Sequence, residues 1–199
     1  MMFVSVEGIE GSGKSSLLAL LAQRLRARGV DVVLTREPGG TPVGDAIRRI
    51  FLKEPDLPVS PLTEAFLVNA SRASHVEEVV RPALAAGKLV LCDRYADSTL
   101  AYQGYGRGLG VDLTRSLCDA ATGGLWPDVV LLLDLPVAAA YERVRDRKGG
   151  FDRLDGESAD FHERVRAGFL ELATSNPHWH VLDATLPTTE LADLAMALL

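Results

Sequence analysis

Five short apolar runs punctuate the chain, at residues 3–6, 30–34, 89–92, 129–133 and 180–182. They are nearly continuous rather than alternating, which is the pattern of strands buried on both faces. Helical patterns lie between them. Leu17, Leu18, Leu21 and Leu25 recur at helical spacing, a second helix begins near Pro42, and another begins near Ser158. Strands alternating with helices predict an α/β fold: a five-stranded parallel sheet flanked by helices on both faces. Ligands of such sheets bind beyond the carboxyl ends of the strands. The segments of interest are therefore 7–15, 35–41, 93–110, 134–136 and 183–185, where polar and glycine residues gather.

The bulk properties narrow the field. With 199 residues, 47% of them hydrophobic, the chain can bury one sizeable core, so residues 1–199 are expected to form a single domain. It has no repeat, low-complexity tract or interdomain linker. A formal net charge of −6 weighs against a nucleic-acid partner, which needs a broad basic face. Cys92 falls in an apolar strand and Cys118 in a helical pattern, without metal spacing; both read as small buried hydrophobes in a reducing compartment. No signal peptide precedes the first strand and no apolar run is long enough to span a membrane. A soluble, cytoplasmic protein with no membrane partner is expected.

The sharpest chemistry follows the first strand. Gly8-Ile9-Glu10-Gly11-Ser12-Gly13-Lys14-Ser15 fits the phosphate-loop pattern G-x-x-x-x-G-K-[ST], with a strand before it and a helix behind it. Backbone N–H groups at a helix N-terminus then cradle a triphosphate. Gly8, Glu10, Gly11, Ser12, Gly13, Lys14, Ser15 and Ser16 form the expected nucleotide cradle. Lys14 reaches the β/γ oxygens, and Ser15 is a ligand for Mg²⁺.

The ends of the other strands add charge. Asp93 can hold Mg²⁺ or cap a helix. Arg94 beside it can take a phosphate in bidentate fashion, though a lone arginine is often a surface salt bridge. The Pro38-Gly39-Gly40 stretch is an ordinary turn by itself, yet it carries Glu37 toward the phosphate site. Arg48 and Arg49 lie on the following helix, where one reaches the same site or both are solvated. Arg143, Arg145, Arg147, Lys148 and Arg153 form a basic cluster interrupted by Gly149-Gly150. Such a cluster is either a solvated helix face or a lid, spanning about 143–157, that closes over phosphates. No residue stands out as a general base; His75, His162, His178 and His180 are scattered and read as surface or satisfied structural histidines. A phosphate monoester acceptor, largely dianionic at neutral pH, needs none.

The stretch Asp93-Arg94-Tyr95-Ala96-Asp97-Ser98-Thr99-Leu100-Ala101-Tyr102-Gln103-Gly104 resembles the signature of the thymidylate kinases. The phosphate loop, residues 36–41, Ala70-Ser71-Arg72, the basic lid and Asp183-Ala184-Thr185 extend that resemblance, in order, over nearly the whole chain. It implies the P-loop NTPase fold and transfer of the ATP γ-phosphoryl group to dTMP, giving dTDP and ADP with Mg²⁺. It implies a catalytic set of Glu10, Lys14, Asp93, Arg94, Arg147 and Arg153, with the metal on Ser15 and Asp93. Glu37, Arg48 and Arg94 would surround the dTMP phosphate. Arg72 would read the thymine O4 edge, Thr99 and Gln103 the other polar edge, and Tyr102 would lie against the deoxyribose. Arg143 would stack on adenine, bordered by the 183–185 turn. Members of the family without an arginine in the loop place cations in the lid; Gly11 together with Arg147, Lys148 and Arg153 matches that bacterial arrangement.

The sequence departs from the family at Val68, where a phenylalanine usually stacks on the base; either Val68 supplies a plainer wall or a shifted helix brings Phe66 there. A homodimer is implied, and the apolar residues Ile47, Phe51, Phe66 and Val76 fit either its interface or the core. Another (deoxy)nucleoside monophosphate kinase is the nearest alternative. A regulatory GTPase lacks support, since there is no N-K-x-D motif, and a DNA-associated ATPase would want a basic stripe.

Overall fold

The computed structural model describes residues 2–54, 57–145, 153–174 and 176–199. Among them are β1 (Phe3–Glu7), β2 (Val32–Arg36), β3 (Leu89–Asp93), β4 (Val129–Asp134) and β5 (Trp179–Asp183). They form one sheet of order β2-β3-β1-β4-β5 in which each neighbouring pair is parallel. From β1 the chain crosses outward to β2, and from β3 it crosses the other way to β4. The direction of winding therefore reverses between β1 and β3, where a crevice opens at the carboxyl edge. The register sets Val6 and Arg36 opposite Asp93, and Glu7 opposite Leu132.

The five predicted strands are all present. The second starts later than its apolar run because Val30 closes helix α1 (Lys14–Ala27) instead. Val30 N–H donates to Leu25 O at 3.1 Å and Gly29 N–H to Arg26 O at 2.9 Å, with Gly29 at φ +81°. This is a Schellman closure, and it uses the apolar residue after the glycine as its cap. Further on, α2 (Pro42–Arg48) and α3 (Pro61–His75) both begin with proline behind a capping hydroxyl. Thr41 Oγ1 accepts from Gly44 N–H at 3.0 Å, and Ser60 Oγ accepts from Thr63 N–H at 3.2 Å.

The remaining helices are α4 (Arg81–Ala85), α5 (Ala96–Thr99), α6 (Val111–Thr122), α7 (Val137–Arg145), α8 (Ala159–Thr174) and α9 (Thr188–Met196). Helices α1 and α9 pack against each other and the sheet, α3 packs on α6, and α8 packs on β4 and β5. Three helices widen into π-helical turns, at Arg49–Lys53, Val76–Val80 and Leu100–Gly106. The last follows α5 and carries Tyr102 and Gln103, consistent with the concentration of such turns at functional sites.

Strands β1, β3 and β4 are buried along almost their whole length and form the centre of the core with Leu17, Leu21, Leu100 and Phe169. Cys92 and Cys118 are both buried free thiols, as expected. Of the apolar residues that fitted either core or interface, Phe51 and Val76 are core, while Phe66 is 55% exposed. Leu62, one turn before Phe66, is exposed as well. Among the described residues no helix is long and apolar enough to cross a membrane.

Candidate active site

The phosphate loop leaves β1 at Glu7 and enters α1 at Lys14. Its first glycine is a steric necessity: Gly8 has φ +136°, and a Cβ there would sit 2.5 Å from Leu133 O. Gly11 is equally confined, with φ +77° and a Cβ position 2.7 Å from Ala140 O on α7. The loop thus rests directly on α7, and no arginine fits at Gly11. Lys14 Nζ donates to Gly8 O at 3.0 Å, Ile9 O at 2.8 Å and Ser12 Oγ at 3.3 Å. Burial and then the neighbouring Arg94 charge pull its pKa down to about 8, against the opposing pull of Asp93, Glu10 and Glu7.

A cleft of roughly 480 Å³ opens above the loop. It brings together Glu10, Gly11, Gly13, Lys14, Ser15 and Ser16 with Glu37, Arg48, Asp93, Arg94 and Arg143, all expected from the sequence. Gly8 and Ser12 lie behind it as acceptors for Lys14. Ser15 Oγ donates to Asp93 Oδ2 at 2.8 Å. These two hard oxygen donors suit Mg²⁺, which commonly takes one or two protein oxygens and fills the rest of its shell from phosphate and water. Among the described residues no group of three His, Cys, Asp or Glu side chains could hold a metal unaided. Arg143 reaches across the cleft's outer end, donating to Gly11 O at 3.4 Å and Ala184 O at 3.1 Å, and so joins the loop to the 183–185 turn. Arg48 Nη1 donates to Pro38 O at 2.9 Å.

A second, narrower pocket adjoins the cleft, walled by Phe51, Val68, Tyr95, Thr99, Tyr102 and Leu154. Glu37, Arg72, Arg94 and Gln103 line it too. Glu37 and Arg94 belong to both spaces, and Arg94 is the hinge between them. It sits at φ +68°, a left-handed conformation uncommon for a residue with a Cβ, and such strain tends to persist where function needs it. Its guanidinium donates to Gly8 O at 2.9 Å, Ser98 Oγ at 3.2 Å and Glu10 Oε1 at 2.7 Å, and lies 5.0 Å over the Tyr102 ring. Burial works against its charge, but Tyr102, Glu10, Asp93 and Glu7 outweigh that and hold the pKa above the ordinary arginine value.

Glu10 is held as firmly. Tyr102 donates its hydroxyl proton to the carboxylate, with both oxygens within reach at 2.8 and 2.7 Å. Burial alone would raise the Glu10 carboxyl; Arg94, Lys14 and the Tyr102 hydroxyl reverse this and leave it below its usual value. Behind the loop, Glu7 is fully buried, accepting from Tyr95 N–H at 2.7 Å and from the Ser98 hydroxyl at 2.6 Å. Burial, then the nearby Asp97, pushes its pKa well up.

The structure decides several points that the sequence left open. Val68 lines the second pocket at 7% exposure, whereas Phe66 faces away from it. Phe51, at the π-helical end of α2, adds an aromatic wall to those of Tyr95 and Tyr102, and sequence spacing did not indicate it. Leu154 was also missed; an apolar residue between Arg153 and Asp155 was its only signal. Glu37 reaches the cleft wall, but its carboxylate is turned to Arg72 and His75, each at 2.8 Å. Gln103 Nε2 donates to Glu64 Oε2 at 3.3 Å. Arg153 is not in either space: its guanidinium donates to the carbonyls of Glu54 and Leu57, both at 2.6 Å. Arg147 and Lys148 lie outside the described residues.

A phosphate loop at the switch point of a parallel sheet, opening through one arginine into a second pocket, defines a P-loop nucleotide-binding protein of the kinase kind. A model of the thymidylate kinase family matches residues 6–194. A thymidylate kinase of Desulfovibrio desulfuricans is 52% identical over 197 residues, covering 96% of this chain and 91% of that protein. One from Deinococcus radiodurans is 52% identical over 191 residues, covering 96% and 92%. The crystal structure of thymidylate kinase from Ehrlichia chaffeensis superposes with a TM-score of 0.79 at 33% identity, covering 99% of this chain and 97% of that one. The chain belongs to the thymidylate kinase family.

Proposed function

We propose that the two connected spaces hold ATP and dTMP, and that the chain transfers the γ-phosphoryl group of the first to the phosphate of the second, giving ADP and dTDP. The observation carrying this reading is Arg94, whose guanidinium lines both spaces and is fixed in the left-handed backbone between them. A cation shared by donor and acceptor is placed to neutralise charge developing between two phosphates. Ser15 and Asp93 would hold Mg²⁺, which supplies charge neutralisation on the donor phosphates when bound.

The chain's own groups divide the rest of the work. Lys14 gives up the loop carbonyls for β/γ oxygens, and the approach of those anions restores its charge. Arg48, on the carbonyl of Pro38, faces the acceptor phosphate beside Arg94. Arg72, Thr99 and Gln103 contact the base edges, Val68 and Phe51 wall its faces, and Tyr102 lies against the sugar while orienting Glu10. Arg143 and the 183–185 turn border the adenine. The lid, about 143–157 within one domain of 199 residues, brings Arg147 and Arg153 to the transferring group; Arg153 exchanges the Glu54 and Leu57 carbonyls for phosphoryl oxygens as it closes. A homodimer through the exposed Leu62–Phe66 face of α3 and a cytoplasmic location complete the reading.

The test is ADP release with dTMP, dUMP, dCMP, dGMP and dAMP as acceptors. Turnover is expected to be greatest with dTMP, and equal or faster turnover with another acceptor would reject the assignment.

A further inference from the structure

Side chains of α3 fix the turn that follows β2. Gly39 N–H donates to Ser71 Oγ at 3.0 Å, and Glu37 accepts from both Arg72 and His75. These three α3 residues present one face to the turn. His75 is completely buried, with Nδ1 2.8 Å from Glu37 Oε1 and Nε2 2.7 Å from Thr35 Oγ1. A carboxylate only accepts, so Nδ1 carries the proton shared with Glu37; in the neutral form of the ring Nε2 then accepts from the Thr35 hydroxyl. The ring also packs against the turn itself, since a Cβ on Gly40 would come within 3.0 Å of His75 Cδ2.

The chain of contacts continues to the second pocket. Glu37 Oε2 accepts from Arg72 Nε at 2.8 Å. Arg72 donates its other protons to Asn69 Oδ1 at 2.7 Å, Cys118 Sγ at 3.4 Å, Tyr95 O at 3.1 Å and Thr99 Oγ1 at 3.0 Å. The guanidinium is thus held on every edge, and Glu37 is its only charged partner in that set. Two of the five acceptors are easily exchanged: a thiol is a weak acceptor and a hydroxyl can rotate away. The Glu37 contact is the charged one of the remaining three, and with Asn69 Oδ1 and the Tyr95 carbonyl it fixes the plane.

We infer that His75 is a positioning residue for the acceptor site: through Glu37 it sets the orientation of Arg72 and the path of the 37–41 turn. This rests on reading the second pocket as the nucleoside monophosphate site. Without the Nδ1 proton, one oxygen of a buried carboxylate is left unpaired, a state costly enough to make Glu37 turn toward another donor. Arg72 then loses its Nε partner. Glu37 borders the cleft as well as the second pocket, but none of the side-chain hydrogen bonds of Thr35, Glu37, His75 or Arg72 given above goes to the phosphate loop, so the loss falls mainly on the acceptor.

Steady-state kinetics of the full chain separate this role from a packing role. His75→Asn can present an amide proton near the Nδ1 position, His75→Gln only near Nε2, and His75→Phe fills the space with neither. The Gln and Phe variants are expected to raise KM for dTMP by about ten-fold or more, with KM for ATP changed by less than about two-fold. The Asn variant is expected to recover most of the difference. A folded Gln variant with the wild-type KM for dTMP, equal losses for both substrates, or an Asn variant no better than Phe would overturn the inference. Should the Gln and Phe variants fail to fold, Thr35→Val removes only the donor to Nε2. A rise in its KM for dTMP alone supports the inference, and an unchanged KM overturns it. Wild-type protein inactive on dTMP would instead sink the function reading itself.

Discussion

The hydroxyl of Ser15 donates to Oδ2 of Asp93 at 2.8 Å, joining the first turn of α1 to the end of β3 across the crevice. Sequence separation between them is 78 residues, yet the parallel register delivers both to one point. Ser15→Ala and Asp93→Asn are each expected to raise the Mg²⁺ concentration needed for half-maximal activity by about ten-fold or more, the scale on which even supporting contacts tune metal sites. A Mg²⁺ titration at saturating ATP and dTMP checks this. An unshifted midpoint in both variants would remove the pair from the metal site.

Arg94 combines a planar fork, a ring contact with Tyr102 and a left-handed backbone. Lysine keeps the charge but cannot reproduce the fork. Arg94→Lys is therefore expected to lower kcat by about 10²-fold, as losing a preorganised transition-state donor does elsewhere. Retention of more than a tenth of wild-type kcat (roughly 1.4 kcal/mol) would show that charge alone suffices.

Lys14 titrates near pH 8 in the free protein, below its ordinary 10.5. Its charged form is the one that attracts a triphosphate, so kcat/KM for ATP is expected to fall as pH rises through about 8. Lys14→Arg, which keeps its charge in that range, is expected to flatten the fall while lowering the plateau. A profile level to pH 9.5 or so in the wild type would contradict the lowered value.

Glu7 has the opposite displacement, from 4.5 up to about 8. A carboxyl whose folded pKa is raised binds more protons folded than unfolded. Its contribution to stability is fully present below pH 4.5 and is lost as pH rises to about 8. Glu7→Gln cannot ionise and preserves the acceptor for Tyr95 N–H. Its melting temperature relative to wild type is expected to climb steadily between those limits, by several degrees in all. Scanning fluorimetry across the range tests the sign; a constant offset would mean that Glu7 stays ionised.

Much of this architecture could be read from the residues. The five strands and their parallel packing followed from near-continuous apolar runs, because strands buried on both faces leave no room for polar alternation. The phosphate loop, Asp93 and Arg94 were visible because they attach directly to strand ends, where topology fixes position. Phe51, Leu154 and His75 were not. Phe51 reaches its pocket through a π-helical widening that shifts the helix face, and simple 3.6-residue spacing cannot foresee that. Leu154 works in a segment whose composition signalled only charge. His75 resembles any satisfied core histidine until its partner is known to be Glu37, 38 residues away. Arg72 and Glu37 read from the residues as separate contacts, whereas in the folded protein they are a single buried ion pair.

The confinement of Gly11 against Ala140 has an evolutionary side. Because α7 occupies the space a loop side chain would need, acquiring a catalytic arginine at that position demands a simultaneous retreat of α7, not a single codon change. Position 11 is thus closed to larger side chains by packing rather than by loop chemistry, and any change there is coupled to α7.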